Sequence, residues 1–122
     1  MKTMDEIKNK LEEYYAAFRN KNWGAFSSFL TNDFSYYSDN MTIMNKEKFI
    51  SFLKRDSYIC KNISFNELKI CSSETLAAAV YKITFDGKMG DKELEVNAAE
   101  TTLLIKEDNE WKIIHSHVSN KS

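Results

Sequence analysis

The sequence predicts an α+β domain in which three N-terminal helices pack on a curved, mostly antiparallel sheet. Two observations carry this. Up to about residue 56 the apolar residues mostly recur every three to four positions, the period of an amphipathic helix. From Lys61 onward they fall into long strand-like runs separated by turn residues. Helices gathered at one end of a chain and strands at the other belong to the α+β class, with the helices on one sheet face. At 122 residues, with 3 glycines and no proline, the chain has the size of one domain, residues 1–122, around one core.

In the first helix, expected from about Met4 to Asn20, Ile7, Leu11, Tyr14, Tyr15 and Phe18 form a single apolar stripe. Thr3 and Glu6 have the spacing of a capping box, in which each side chain satisfies a free backbone N–H. After the polar break Arg19 to Asn22, the residues Trp23, Phe26, Phe29 and Leu30 predict a short second helix capped by Asn22 and ended by Thr31-Asn32-Asp33. Phe34 to Ser38 is an aromatic strand, and Met41 to Met44 is its hairpin partner. Phe49, Ile50, Phe52 and Leu53 share the face of a third helix that follows Asn45 and ends near Asp56.

Four strands complete the chain: Ile63 to Ile70, Thr75 to Phe85, Lys92 to Ile105 and Trp111 to Val118. Their connections are Cys71-Ser-Ser-Glu74, Asp86-Gly-Lys-Met-Gly-Asp91 and Lys106-Glu-Asp-Asn-Glu110, short enough to make neighbours antiparallel. Leu76-Ala-Ala-Ala-Val80 contains helix formers, but its place between turn signals makes it strand. Its small side chains leave room on the inner sheet face.

A net charge of −1, with both signs interspersed, excludes the one-signed field that attracts nucleic acid. The N-terminus lacks the apolar stretch of a signal peptide, and no apolar run approaches the length of a membrane span, so a cytoplasmic protein without membrane contact is expected. Cys60 and Cys71 have neither C-x-x-C spacing nor a histidine neighbour, which favours reduced thiols over a disulfide or zinc site.

Three segments carry a family resemblance: Glu13-Tyr-Tyr-Ala-Ala-Phe18, Asn22-Trp-x-x-Phe-x-x-Phe-Leu30, and the closing Glu100-Thr-Thr with Glu110-Trp-Lys-Ile-Ile-His-Ser-His-Val-Ser119. The chain resembles the nuclear transport factor 2-like, or SnoaL-like, superfamily. Its closing strands are similar to the association domain of calcium/calmodulin-dependent kinase and its bacterial relatives. The resemblance implies a cone-shaped, cystatin-like fold with a pocket between helices and concave sheet, and a homodimer through the convex face. It also implies that function must be argued from the pocket, because such folds host isomerases, dehydratases, cyclases and assembly modules alike.

Against ketosteroid isomerase, Tyr14 matches the oxyanion-hole tyrosine and Glu100 lies near the carboxylic donor, a pair able to stabilise an enolate if burial keeps the acid neutral. The matching base position is Ser38, which cannot take a proton, with Asp39 one residue away on the opposite strand face. Against the kinase association domain, the pocket arginines correspond to Lys82, Thr102 and Val118. Lys82 and Glu100 are expected on one sheet face, close enough to pair. The resemblance to dehydratases, which use a His and Asp pair, leaves only His115 and His117 as candidates. They share one face of the last strand, and matching Val118 inward turns both outward toward a subunit interface.

The leading expectation is a domain that binds a small, partly apolar molecule without metal or other cofactor. Its wall residues are Tyr14, Tyr36, Lys82, Glu100 and Thr102. A second expectation is an isomerase, dehydratase or cyclase that uses Tyr14 and Glu100, and a third is an assembly module with a vestigial pocket. A packed or interface pair is preferred over a metal site for His115 and His117, which lack a third ligand, and Trp111 is read as packing.

Overall fold

Helix α1 (Lys2–Arg19) buries most of its stripe: Ile7 and Leu11 are inaccessible to solvent, Tyr14 and Tyr15 nearly so, and Phe18 is half-buried. The computed structural model describes residues 2–120. Because α1 already includes Lys2, Thr3 sits inside its first turn and does not cap it. Helix α2 (Trp23–Ser28) begins where expected, with the Asn22 side chain accepting from the Ala25 N–H at 3.3 Å. It ends earlier than its aromatic spacing suggests. Ile113 N–H donates to the Phe29 carbonyl at 2.8 Å, which draws the chain into strand β1 (Leu30–Ser38) at Leu30. Thr31, Asn32 and Asp33 are therefore strand residues.

The hairpin to β2 (Ile43–Asn45) forms across a turn in which Met41 takes φ 66°. Asn45 then caps α3 (Lys46–Arg55), accepting from Lys48 N–H at 2.9 Å, and Phe49 is its buried anchor. The remaining strands are β3 (Tyr58–Ser72), β4 (Leu76–Met89), β5 (Lys92–Glu107) and β6 (Glu110–Asn120). They exceed the lengths expected from apolar runs because hydrogen bonding continues through polar residues. In β3 this is tolerated at the sheet edge.

The sheet order is β2-β1-β6-β5-β4-β3. All pairings are antiparallel except β1 with β6, which is parallel and spans the length of the chain. The β5–β6 turn uses left-handed Asp108 and Asn109, the conformation a two-residue hairpin requires. The β4–β5 turn is equally tight. Met89 pairs with Lys92, leaving only Gly90 (φ 65°) and Asp91 between the strands. Gly87 is thus a strand residue and not part of a turn. A Cβ there would collide with the carbonyl oxygen of Ile59, so close approach of β3 demands glycine.

Helices and inner sheet face enclose one core that includes Phe26, Leu30, Phe34, Ile83, Leu104, Trp111 and Ile113. Each fully buried large side chain contributes roughly 1.5–3 kcal/mol relative to exposure. Among the described residues, no helix is long and apolar enough to cross a membrane.

Candidate functional site

Two backbone features aim the site. The tight β4–β5 turn places Tyr81 opposite Glu100 and Ala79 opposite Thr102, so all four share the inner face. In β6, a bulge opposite Leu103 and Leu104 changes the parity of burial. Trp111 and Ile113 point inward before it, and Ser116 and Val118 after it. Without that extra residue, the histidines and not Ser116 and Val118 would line the concave face.

Over this surface lies a cavity of about 280 Å³, near the lower end of small-molecule sites. Its floor is Ala98, Glu100, Ser116 and Val118. The walls come from Tyr14, Tyr15 and Phe18 on α1, Phe26 on α2, Tyr36 on β1, Phe49 and Leu53 on α3, and Phe85 on β4. Exposed Phe52, Asp56, Met89, Leu94 and Asn120 mark the open end, beside Tyr58 and Val96. The rings hold one another: Tyr14 stacks on Phe26 at 4.6 Å, and Tyr36 on Phe49 at 4.4 Å.

Glu100 is the carboxylate of this floor, with 8% of its surface exposed. Burial raises its pKa from the usual 4.5 to about 7, because a charged carboxylate loses its hydration there. Hydrogen bonding to Tyr15 and Tyr81 works in the opposite direction and favours the ion. Behind it runs a buried chain of hydroxyls: Tyr15 to Tyr81 at 2.7 Å, Tyr81 to Thr102 at 2.9 Å, and Thr102 to Ser116 at 3.3 Å. Burial and the charge of Glu100 raise the tyrosines as well. Tyr14, Tyr15 and Tyr81 move well above 10, and Tyr36 to about 12. All four are neutral phenols at physiological pH. The Tyr14 hydroxyl has no hydrogen-bond partner among the described residues, which leaves it free to donate to or accept from a guest.

Tyr14, Tyr36 and Glu100 are thus brought together, and two expected wall residues are not. Lys82 faces away: it pairs across the ladder with Ala99, is mostly exposed, and bonds Glu67 at 2.7 Å. Strand alternation makes it impossible for Lys82 and Glu100 to share a face once Tyr81 stands opposite Glu100. Thr102 does point inward, but it lies beneath the cavity wall, bonded to Tyr81 and Ser116. Ser38 bonds Asn40, and Asp39 accepts from Asn120 N–H at 3.2 Å, so neither supplies a base at the floor. His115 and His117 lie on the convex face, where His115 Nδ1 is 2.8 Å from the Ser35 hydroxyl and its ring packs edge-on to Tyr37. Among the described residues, no group of three His, Cys, Asp or Glu side chains gathers to hold a metal ion.

Tyr81, Ser116, Phe49 and Asp56 were not singled out as site residues from the sequence. Tyr81 had a usable signal, since it alternates with Ala79 and Ile83. Ser116 had one only through the resemblance, since it shares strand parity with Val118, which the family match turns inward; the bulge itself leaves no mark in the residue pattern.

A family model described as a SnoaL-like domain matches residues 7–121. No curated protein matches the chain. Among solved structures, a nuclear transport factor 2-like protein from Cytophaga hutchinsonii superposes with TM-score 0.88 at 15% identity, covering 99% of this chain and 100% of that one. A protein from Exiguobacterium sibiricum, described as a calcium/calmodulin-dependent kinase II association domain, gives 0.86 at 15% identity, over 100% and 95% of the two chains. A ketosteroid isomerase-like protein from Erwinia carotovora atroseptica gives 0.80 at 14%, over 97% and 95%. At these identities the likeness establishes the fold alone.

Proposed function

The chain belongs to the SnoaL-like domain family, and we propose that it is a small-molecule-binding member whose ligand occupies the aromatic cavity above Glu100. One observation carries the reading. An open cavity of about 280 Å³ holds a buried carboxyl and an unpartnered phenol at its inner end, under walls made mainly of aromatic rings. A packing core has no need of that void, since empty apolar space costs stability. Tyr14 and Glu100 hold the polar end of the ligand, and Tyr36, Phe18 and Phe85 cover its apolar part. Thermal-shift screening of small apolar ketones and amines tests this against Ala98→Leu, which fills the floor. Ligands that stabilise the native protein but not the filled variant are expected. Equal shifts for both proteins would place binding elsewhere and defeat the proposal.

A second reading is proton-transfer catalysis, favoured by a carboxyl with a pKa of about 7 beside a neutral phenol. Such an acid can take and return a proton near neutral pH while Tyr14 donates to a developing enolate oxygen. No separate base is present at the floor, so Glu100 fills both roles. Deuterium exchange at the α-carbon of an enolisable ketone, followed by NMR, is expected to be accelerated by the wild type and not by Glu100→Gln.

The assembly proposed is a homodimer through the convex face, where Tyr37, Leu76 and Val80 are exposed beside Leu103 and His115. Light scattering of the wild type is expected to give twice the chain mass, and Val80→Lys to give the monomer. A wild-type monomer at micromolar concentration would rule out this interface.

A further inference from the structure

The charge distribution around the cavity narrows the ligand class. Its lining includes Glu100 at the floor and Asp56 at the mouth, and no Lys, Arg or His is among the described lining residues. The titratable groups facing Glu100 are Tyr14 and Tyr15 from α1, Tyr36 from β1 and Tyr81 from β4. From β6 the residue opposite Glu100 is Val118, which carries no charge, and toward the mouth stand Asp56 and Tyr58. The one conspicuous lysine of this region, Lys82, is on the other side of the sheet, paired with Glu67.

An anionic ligand would therefore enter toward a carboxylate with no cation to receive it. A neutral ligand can bond a protonated Glu100, but would leave the ionised form buried without a counter-charge. A cation satisfies what both leave open. The rings add a second, independent attraction, because aromatic faces carry negative potential and hold ammonium groups best where water is excluded. Tyr14, Phe18, Tyr36 and Phe85 all present rings to this cavity.

We propose that the ligand is a hydrophobic organic monocation, an ammonium carrying an aromatic or branched aliphatic group, with Glu100 as counter-ion and the surrounding rings as a cation–π cage. The proposal rests on the ligand-binding reading above and names the class of molecule it takes. In the bound state Glu100 is ionised, so binding the cation below neutral pH releases a proton from it. The tyrosines stay neutral throughout this range.

Calorimetric titration with three probes of similar shape separates the possibilities. They are benzyltrimethylammonium, whose charge does not change with pH, neutral 4-phenyl-2-butanone, and anionic 3-phenylpropanoate. For the wild type the ammonium is expected to bind tightest at pH 8, and about tenfold more weakly at pH 6 as Glu100 takes up its proton. Glu100→Gln should weaken it at pH 8 by tenfold or more and abolish the pH dependence. Tyr36→Leu should cost the ammonium roughly threefold while keeping the pH dependence.

Tighter binding of the ketone or the phenylpropanoate than of the ammonium at pH 8 would overturn the cation proposal and leave the pocket reading standing. Ammonium affinity equal at pH 6 and pH 8 would overturn it too, and that comparison needs only the wild type. Failure of all three probes to bind would remove the cation proposal and the pocket reading together.

Discussion

The two faces of one strand make the most instructive comparison in this molecule. Along β5, Ala98, Glu100, Thr102 and Leu104 are buried, whereas Ala99, Thr101, Leu103 and Ile105 are exposed or half-buried on the other side. Glu100 on the inner face is held near a pKa of 7 by lost hydration. Lys82, one strand away on the outer face, stands in solvent with Glu67. A shift of one residue separates an unusual acid from an ordinary surface ion pair. Chemistry here follows which side of the sheet a group occupies, more than which strand carries it.

The contrast is most open to attack through packing. Ile83→Ala, at a site with 1% exposure, is expected to lose about 2–5 kcal/mol in urea unfolding. Val80→Ala on the outer face of the same strand should change stability within about 0.5 kcal/mol in a monomer. A larger loss at Val80 that grows with protein concentration would show that the outer face is itself covered by a partner.

Next in size is the pH dependence contributed by Glu100. Its folded pKa lies above its unfolded value, so the folded state holds the proton more tightly. The group's contribution to stability is fully present below about pH 4.5 and is lost as pH rises toward and through 7. The gap between 4.5 and about 7 corresponds to about 3 kcal/mol. Glu100→Gln should therefore flatten the stability curve between pH 5 and 8 and exceed the wild type at the alkaline end. Parallel curves for the two proteins would show that the carboxyl keeps an ordinary pKa in the folded state.

A smaller effect is expected at Tyr14. Removing its hydroxyl with Tyr14→Phe should weaken a cavity ligand that uses the phenol by about 1 kcal/mol, close to fivefold, in a binding titration. The same change should leave the stacked ring against Phe26 in place. The smallest effect belongs to Lys82. Lys82→Met should leave both ligand affinity and melting temperature unresolved from the wild type, since the side chain is remote from the cavity and solvated. A loss of affinity there would return Lys82 to the site.

Much of the fold is legible in the sequence. The stripe from Ile7 to Phe18 specifies α1, Asn22 and Asn45 carry the caps of α2 and α3, and the strand–turn alternation after residue 56 specifies the meander. Tyr14 and Glu100 are legible as cavity residues through the family resemblance, whereas Tyr36 has no family match and is only an expected wall residue. The assignments that failed share a cause. A six-residue turn at Asp86 to Asp91 leaves the β4–β5 register open, and with it the face of Lys82. With the turn confined to Gly90 and Asp91, Met89 opposite Lys92 makes Tyr81 the partner of Glu100. Leu30 likewise has helical spacing from Phe26, yet its backbone is claimed by β6 from the far end of the chain.

The sequence by itself determined the α+β class, the number of helices and the positions of most turns, because hydrophobic period and capping are local properties of neighbouring residues. Only the tertiary structure decided which residues meet over Glu100. That outcome depends on strand register, on the bulge that turns Ser116 and Val118 inward, and on a parallel β1–β6 pairing between distant segments. Each is a relation between two stretches of chain, and no period within either one records it.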